Sequence, residues 1–391
     1  MGNLLGAPVT EKETHVGTVE GYDIDFAVSS MQGWRVHMED AHITEPRIYA
    51  MEPKNTEKEN GGKEYYTKIE LPGHSLYAVF DGHGGTFAAN YAGKNMCRVL
   101  SMQPKFLEYA KFVKGRPEKE ATMESSAQKV QFLRSGLDLL EGALRDTFVE
   151  LDKEIAQAIR GSLHPDANKP YHTPPPPPTP PPSEDSDTNM EDAIHAAAHA
   201  TAREHANALD DDGDSGTTAC VVMVTPDWII CANAGDSRAV FSKHGNRAVP
   251  LSYDHKPDDE EEERRIRAAG GYVAGGRVEG DLAVSRGLGD FRFKSMATVC
   301  AGAHPAARSE DDGEENSERV TMAPGEQKVA PIPDIIVQNR NEEFDEFIVI
   351  ACDGIWDVQS NNDCVKEIAA MFKEGEHNVG LVCEEVRTIL L

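Results

Sequence analysis

The sequence has few features of secreted, membrane-spanning or nucleic-acid-binding proteins. Its seven cysteines are scattered and form no C-x-x-C pair, which argues against a disulfide framework or a zinc ribbon and favours a reducing compartment. No apolar run approaches the ~18 residues of a membrane-spanning helix, and no basic-then-apolar signal peptide opens the chain. Lysine and arginine number 39 against 67 aspartates and glutamates, for a net charge of −28. This balance argues against a nucleic-acid binder, which would need a basic face.

The chain is nevertheless able to build a large core. It has 391 residues, of which 39% are hydrophobic, enough for one large domain or two ordinary ones. Some of the acidic residues are clustered in short segments at 210–212, 258–263 and 311–315. Such runs are typical of solvated loops or helix starts.

Three polar segments interrupt the hydrophobic pattern, and we expect them to be inserted flexible loops: 51–70, 161–214 and 296–328. The second contains polyproline at 174–178 and 180–182, which must be extended and cannot be core. A plain spacer and a ligand for an SH3- or WW-type reader are both compatible with this stretch.

Between these segments, strands and helices alternate without a regular βαβ rhythm, which favours an α+β fold over a doubly wound sheet. Short apolar runs bounded by turn residues predict strands at 76–80, 217–224, 228–234, 238–242 and 347–351. Apolar residues at helical spacing predict helices at 87–100 and 127–159. An acidic first turn and the following Gly270-Gly271 predict a third helix at 258–269.

Acidic residues at strand ends carry the chemical signal. Asp81-Gly82, Asp236 and Asp353-Gly354 each follow an apolar run, and Glu39-Asp40 follows Arg35 closely. One Asp-Gly pair is first of all a turn signal, but an aspartate at the end of a buried strand is costly unless its charge is balanced. Oxygen ligands gathered at one sheet edge would suit Mg²⁺ or Mn²⁺, and Gly82 lets its own carbonyl approach a cation closely.

The chain resembles the PPM, or type 2C, metal-dependent serine/threonine protein phosphatases. The resemblance spans residues 22 to about 390 and rests on phrases in family order: SMQGWRVHMEDAH (30–42), VFDGHGG (79–85), DSGTTA (214–219), AGDSR (234–238), DHKP (254–257), LAVSRGLGD (282–290) and ACDGIWD (351–357). It implies one phosphatase domain over 22–391, folded as a four-layer α-β-β-α sandwich of two antiparallel sheets flanked by helices.

The resemblance also implies a site with two Mg²⁺ or Mn²⁺ ions. Asp81 would bridge the two ions, the Gly82 carbonyl would hold one of them, and Asp353 would hold the second. Glu39 and Asp40 would lie in or next to the ligand shell.

Further roles follow from the same phrases. Asp236 and Asp357 would join Asp353 at a third, weaker ion. Arg35 would bind the substrate phosphate and His83 would be the general acid, so the implied reaction is hydrolysis of phosphoserine and phosphothreonine in proteins by a metal-bridging water. No cysteine opens the Cys-x₅-Arg loop of a covalent mechanism, and no P-loop indicates a nucleotide enzyme.

One family phrase is missing. Relatives carry a Gly-Ser-Arg-Asp-Asn-like phrase with a further metal-binding aspartate, and this sequence reaches Leu391 without it. Truncation is one explanation. The alternative is a naturally non-catalytic, phosphoprotein-binding form. In either case we expect the domain to lack its C-terminal strands.

The remaining expectations concern partners and location. Gly2 half-matches a myristoylation signal, with Gly6 where Ser or Thr is preferred, so the start is either an acylated membrane anchor or an ordinary flexible terminus. Otherwise we expect a cytoplasmic or nuclear monomer that meets phosphorylated proteins and no nucleic acid. His195 and His199 have a helical spacing that can seat zinc, but no cysteine lies nearby.

Overall fold

The structure is a computed structural model that describes residues 4–54, 65–159, 215–294, 322–341 and 343–388. Its strands are β1 (Leu4–Thr18), β2 (Asp25–Arg35), β3 (Ala41–Glu45), β4 (Tyr49–Lys54), β5 (Tyr65–Glu70), β6 (Ser75–Phe80), β7 (Gly82–His83), β8 (Gly216–Thr217), β9 (Ala219–Val224), β10 (Trp228–Ala234), β11 (Arg238–Lys243), β12 (Arg247–Pro250), β13 (Val273–Ala274), β14 (Arg277–Val278), β15 (Leu288–Gly289), β16 (Asp334–Asn339) and β17 (Asp345–Ala351). Its helices are α1 (Phe87–Ser101), α2 (Pro104–Ala121), α3 (Ser126–Ile159), α4 (Glu260–Ala268), α5 (Asp353–Trp356), α6 (Asn361–Glu374) and α7 (Val379–Thr388).

Two antiparallel sheets form the centre of the molecule. The first has the strand order β16-β10-β9-β6-β3 and the second has the order β12-β11-β17. Strands β9 and β10 are buried at every position, because both faces of the first sheet are covered. Their alternating side chains explain how: Cys220 and Val222 face the second sheet, whereas Val221 and Met223 face the helices.

Helices cover the outer face of each sheet. On α3, Leu140, Leu144, Phe148 and Leu151 recur at helical spacing and are buried in the core beneath the first sheet. Helices α6 and α7 pack their apolar residues against the second sheet. The result is four layers, so the predicted α+β sandwich of two antiparallel sheets flanked by helices is confirmed.

The sequence predicted most of these central elements closely, but it missed the N-terminal strand. The expectation of an ordinary flexible terminus is wrong from Leu4 onward, because β1 pairs with β2 along most of its length. The Lys12 ammonium donates to the Glu384 carbonyl at 2.6 Å, which ties β1 to α7. The folded region therefore starts before residue 22. Gly2 lies outside the described residues.

The prediction of a flexible loop at 51–70 is wrong at both ends. Strands β4 and β5 form an antiparallel hairpin there, and the Lys68 ammonium lies 4.0 Å from the centroid of the Tyr49 ring. Polarity misled the prediction because an edge hairpin needs few apolar residues. The segment 161–214, with its polyproline and His195 and His199, lies outside the described residues.

The predicted loop at 296–328 falls outside the described residues up to 321, and its last part is packed. Residues Pro324–Glu326 form a 3₁₀ turn, and Gln327 is buried. Within the described part of the chain, no helix is both long enough and apolar enough to cross a membrane.

The acidic run at 258–263 is only partly the solvated helix start that was predicted. Glu262 in α4 is buried, where its carboxylate accepts hydrogen bonds from Ser285, Arg286 and Arg265. Burial alone would raise the pKa of Glu262, but the two guanidinium groups outweigh it and lower that pKa to about 2. The run therefore supplies one structural anchor among solvated neighbours.

Candidate metal centre

Three carboxylates from separate parts of the chain meet where strands of both sheets end. Asp81 follows β6, Asp236 lies in the turn between β10 and β11, and Asp353 follows β17 as the first residue of α5. Each offers an oxygen, and these oxygens all lie within 4.8 Å of one another. The strand ends named by the sequence therefore do converge.

This convergence strongly perturbs Asp81. Burial first, and then the charges of Asp40, Asp353 and Asp236, raise the pKa of Asp81 from 3.8 to about 9. Burial and the charges of Asp236 and Asp357 likewise raise the pKa of Asp353. Carboxylates crowded in this way repel one another unless a proton or a cation balances them.

Hydroxyl groups of β8 and the residue after it hold the Asp81 backbone in place. The Asp81 carbonyl accepts from the Thr218 amide at 2.9 Å and from the Thr217 hydroxyl at 3.1 Å. The Asp81 amide donates to the Thr218 hydroxyl, which also contacts the Ser237 hydroxyl next to Asp236. Sequence reasoning quoted these residues only as part of the family phrases and gave them no role.

Gly82 is required because the backbone of Glu39 lies against it. A Cβ atom at Gly82 would lie 2.1 Å from the Glu39 carbonyl oxygen, which no side chain can tolerate. The Glu39 carboxylate accepts from the Gly85 amide at 2.9 Å. Glu39 therefore braces the turn that follows Asp81.

The other predicted ligands lie around the three-carboxylate group. Asp40 is close enough for its charge to raise the pKa of Asp81. Asp357 is exposed at the end of α5, where its amide donates to the Asp353 carbonyl at 2.8 Å. Among the described residues, the group with all ligand oxygens within 4.8 Å contains neither of them, nor Glu39.

A lysine that sequence reasoning did not single out reaches the cluster. The Lys256 ammonium lies 2.6 Å from Asp236 Oδ2. Burial lowers the pKa of Lys256, but the hydrogen bond and charge of Asp236 outweigh it, so the pKa is raised. Lys256 thus supplies part of the positive charge that these carboxylates need.

His83 is oriented by a small three-stranded sheet. Strand β8 lies between β7 and β15, so that His83 and Gly289 both lie opposite Gly216. Asp290 follows directly, and its Oδ1 lies 2.8 Å from His83 Nε2. Burial lowers the pKa of His83, but the charge of Asp290 outweighs it, so the pKa is raised.

Asp290 is a site residue that the sequence alone did not identify. It adopts a left-handed backbone conformation with φ of 55°, and its carboxylate packs on Gly216, where a Cβ atom would lie 2.2 Å from Oδ2. The only sequence signal was its place at the end of the phrase LAVSRGLGD.

Arg35 ends β2 with an exposed side chain. It forms no ion pair with another residue that the structure describes, so its guanidinium is available to a ligand. The neighbouring Gln32 amide donates to the carbonyls of Arg35 and Val36 at 2.9 and 3.0 Å, which fixes the backbone at this strand end.

The donor set fits a hard divalent cation. Asp81, Asp236 and Asp353 offer only oxygen, and Gly82 leaves room for a carbonyl donor beside them. Oxygen-only sites select Mg²⁺, Mn²⁺ or Ca²⁺ over Zn²⁺, which prefers nitrogen and sulfur. The pKa of Asp81 is raised because burial and the neighbouring carboxylates disfavour its charged form, and a bound cation would stabilise that form.

A four-layer sandwich with an acidic cluster at the strand ends of both its sheets defines an α+β protein with a candidate cation centre. The sequence model of protein phosphatase 2C matches residues 24–166 and 180–389. The chain belongs to this family, as the quoted phrases predicted.

Individual relatives agree. The chain is 32% identical over 386 residues to a protein phosphatase 2C homolog 2 of Hypocrea jecorina and 30% identical over 378 residues to that of Saccharomyces cerevisiae. These alignments cover 99% and 96% of this chain but 61% and 55% of the two relatives. A probable protein phosphatase 2C of Caenorhabditis elegans is 32% identical, with 99% and 74% covered.

A solved structure supports the fold. A phosphatase from Toxoplasma gondii superposes with a TM-score of 0.50 over 99% of this chain and 89% of its own, at 17% sequence identity.

Proposed function

We propose that the chain hydrolyses phosphoserine and phosphothreonine in proteins, with Mg²⁺ or Mn²⁺ at the Asp81–Asp236–Asp353 cluster. The observation that carries the proposal is the convergence of these three carboxylates, with oxygens within 4.8 Å, together with His83 and its partner Asp290 on the adjoining small sheet. Family membership supports the same reaction.

The cation would be held by this chain's own oxygens. We assign Asp81, Asp353 and the Gly82 carbonyl to two ions, with Glu39 and Asp40 beside them. Asp236 and Asp357 would join Asp353 at a third, weaker ion. When bound, such ions supply positive charge that stabilises phosphoryl oxygens and makes a bound water more nucleophilic.

Arg35 and His83 supply the rest of the chemistry. The planar Arg35 guanidinium can hold two phosphoryl oxygens at once. His83 can give its ring proton to the serine or threonine oxygen as the P–O bond breaks. The bonding electrons go to that oxygen, the attacking water forms the new P–O bond and loses a proton, and the products are the protein hydroxyl and inorganic phosphate.

The experiment is hydrolysis of a phosphothreonine peptide by the wild-type chain and by Asp81→Asn. We expect Mn²⁺-stimulated, EDTA-sensitive activity that Asp81→Asn abolishes. Asp146→Asn is a matched control, because Asp146 is a half-exposed partner of Lys105 on the surface, and it should keep wild-type activity. Full turnover by Asp81→Asn would contradict the proposal, and cation binding without turnover in the wild type would favour a phosphoprotein-binding role.

The partners and the location remain predictions from the sequence. They are phosphorylated protein substrates, an SH3- or WW-type reader of the polyproline, a monomeric state, and a cytoplasmic or nuclear location with membrane contact only through acylated Gly2.

A further inference from the structure

A buried ion pair lies behind the catalytic histidine and has no place in the chemistry described so far. Asp152 in α3 and Lys294 have side chains that are 3% and 0% exposed, and Lys294 Nζ lies 2.8 Å from Asp152 Oδ1. Burying such a pair gains little stability over an apolar pair of similar volume, because both charges lose their water. A role other than stability therefore explains its position better.

The pair fastens the loop that carries Asp290. The Gly289 amide donates to Asp152 Oδ1 at 2.8 Å, and Lys294 Nζ donates to the Gly287 carbonyl at 2.9 Å. The loop is thus held on both sides of Asp290: at Gly287 and Gly289 before it, and at Lys294 after it.

Asp290 needs this support. A left-handed backbone is less favourable than a right-handed one for a non-glycine residue, and it persists where the surroundings enforce it. The Asp290 amide also donates to the Ser215 carbonyl at 3.1 Å. Held in this way, Asp290 binds Nε2 of His83 and so fixes the plane and the tautomer of the imidazole ring.

We propose that Asp152 and Lys294 are positioning residues for His83, acting through the loop and carboxylate of Asp290. This inference rests on the proposed function, in which His83 protonates the departing oxygen. The ion pair touches no reacting atom. It fixes the orientation of the His83 ring, and a small misplacement of a proton donor greatly slows protonation of the departing oxygen.

The test compares two substrates that differ in their need for a proton. A serine or threonine alkoxide leaves poorly unless it is protonated, whereas p-nitrophenolate leaves readily without a proton. For Asp152→Asn we expect kcat on a phosphothreonine peptide to fall about 10- to 100-fold, with KM unchanged. On p-nitrophenyl phosphate the change should stay within about 3-fold, because only the acid-dependent step is affected.

Glu154→Gln is the matched control. Glu154 lies two positions after Asp152 on α3 and pairs with Arg98 and Tyr91 away from the loop. Its removal should lower stability and leave the ratio of the two activities as in the wild type. The double variant Asp152→Leu/Lys294→Met replaces the ion pair with an apolar, uncharged pair, so it should fold well. It should still show the larger loss of activity on the phosphopeptide, because the loop has lost its contacts.

Three results would overturn the inference. They are an equal fall on both substrates in Asp152→Asn, full peptide activity in the double variant, and an unchanged ¹⁵N signal of the His83 ring in Asp152→Asn. The last measurement needs no activity. A wild-type chain that hydrolyses neither substrate would refute the proposed function, and the ring signal alone would then decide whether the ion pair orients His83.

Discussion

Replacing Gly82 by alanine should damage the candidate metal centre through the backbone rather than through charge. The new Cβ would lie 2.1 Å from the Glu39 carbonyl oxygen, 2.9 Å from its carbon and 3.1 Å from the Ala89 Cβ. Two of these three contacts are with main-chain atoms, so no side-chain rotation can relieve them. The strand end after Asp81 and the segment carrying Glu39 must move apart by more than about 1 Å to reach van der Waals separation.

The magnitude follows from this overlap. Overpacking a well-filled site costs about 1–3 kcal/mol, and here the displaced atoms adjoin Asp81. We therefore expect Gly82→Ala to lower the free energy of unfolding by about 3 kcal/mol. It should also remove most of the thermal stabilisation that Mn²⁺ gives the wild type, because the carboxylate and the carbonyl donor shift together.

A neighbouring glycine provides the control. At Gly354, next to Asp353, a Cβ atom would meet only Cys352 Sγ at 3.7 Å, which is an ordinary contact. Since alanine is favoured over glycine in a helix by up to about 1 kcal/mol, Gly354→Ala should be as stable as the wild type or slightly more so. Urea unfolding with and without Mn²⁺ measures both variants, and equal behaviour of the two alanines would refute the reasoning.

Three further predictions concern pH and packing. Burial lowers the pKa of His74 from 6.5 to about 4, so the folded state favours the neutral ring. The free energy of unfolding should therefore be highest above pH 6.5 and fall by about 3 kcal/mol as the pH drops to 4. The urea midpoint of the wild type should show this fall with pH, and His74→Asn should lack it. The pKa of Glu262 is lowered from 4.5 to about 2, so its stabilisation of the folded state is present above pH 4.5 and is lost towards pH 2. Glu262→Gln should lower the free energy of unfolding at pH 7 by about 3 kcal/mol, and an unchanged urea midpoint at that pH would contradict this. Gly216→Ala should push Asp290 off His83, since its Cβ would lie 2.2 Å from Asp290 Oδ2, and should slow phosphopeptide hydrolysis more than p-nitrophenyl phosphate hydrolysis; an equal loss on both would contradict it.

Local patterns in the sequence predicted the elements that hold the centre. Strand β10 was expected at 228–234 and lies there, because a buried run in which only Asn233 is polar leaves little choice. The helix expected at 127–159 differs from α3 by one residue. The aspartates that follow these strands could be named in advance because strand ends and Asp-Gly turns are local signals.

What the sequence missed depends on contacts between distant residues. The pairing of Asp290 with His83 joins positions 207 apart, and the pairing of Lys294 with Asp152 joins positions 142 apart. Neither has a local signature. Helix α2 escaped notice for a local reason, because Pro117 lies inside it and an internal proline normally argues against a helix.

The arrangement of the three carboxylates gives the cation a mechanical role. Asp81 follows a strand of the five-stranded sheet, Asp353 follows a strand of the three-stranded sheet, and Asp236 lies where the chain passes from one sheet to the other. Cations held by these carboxylates would cross-link two layers that otherwise pack through side chains such as Phe241. The free energy of cation binding would then add to the stability of the folded sandwich. Chelation should weaken the packing between the two sheets before it affects either sheet alone.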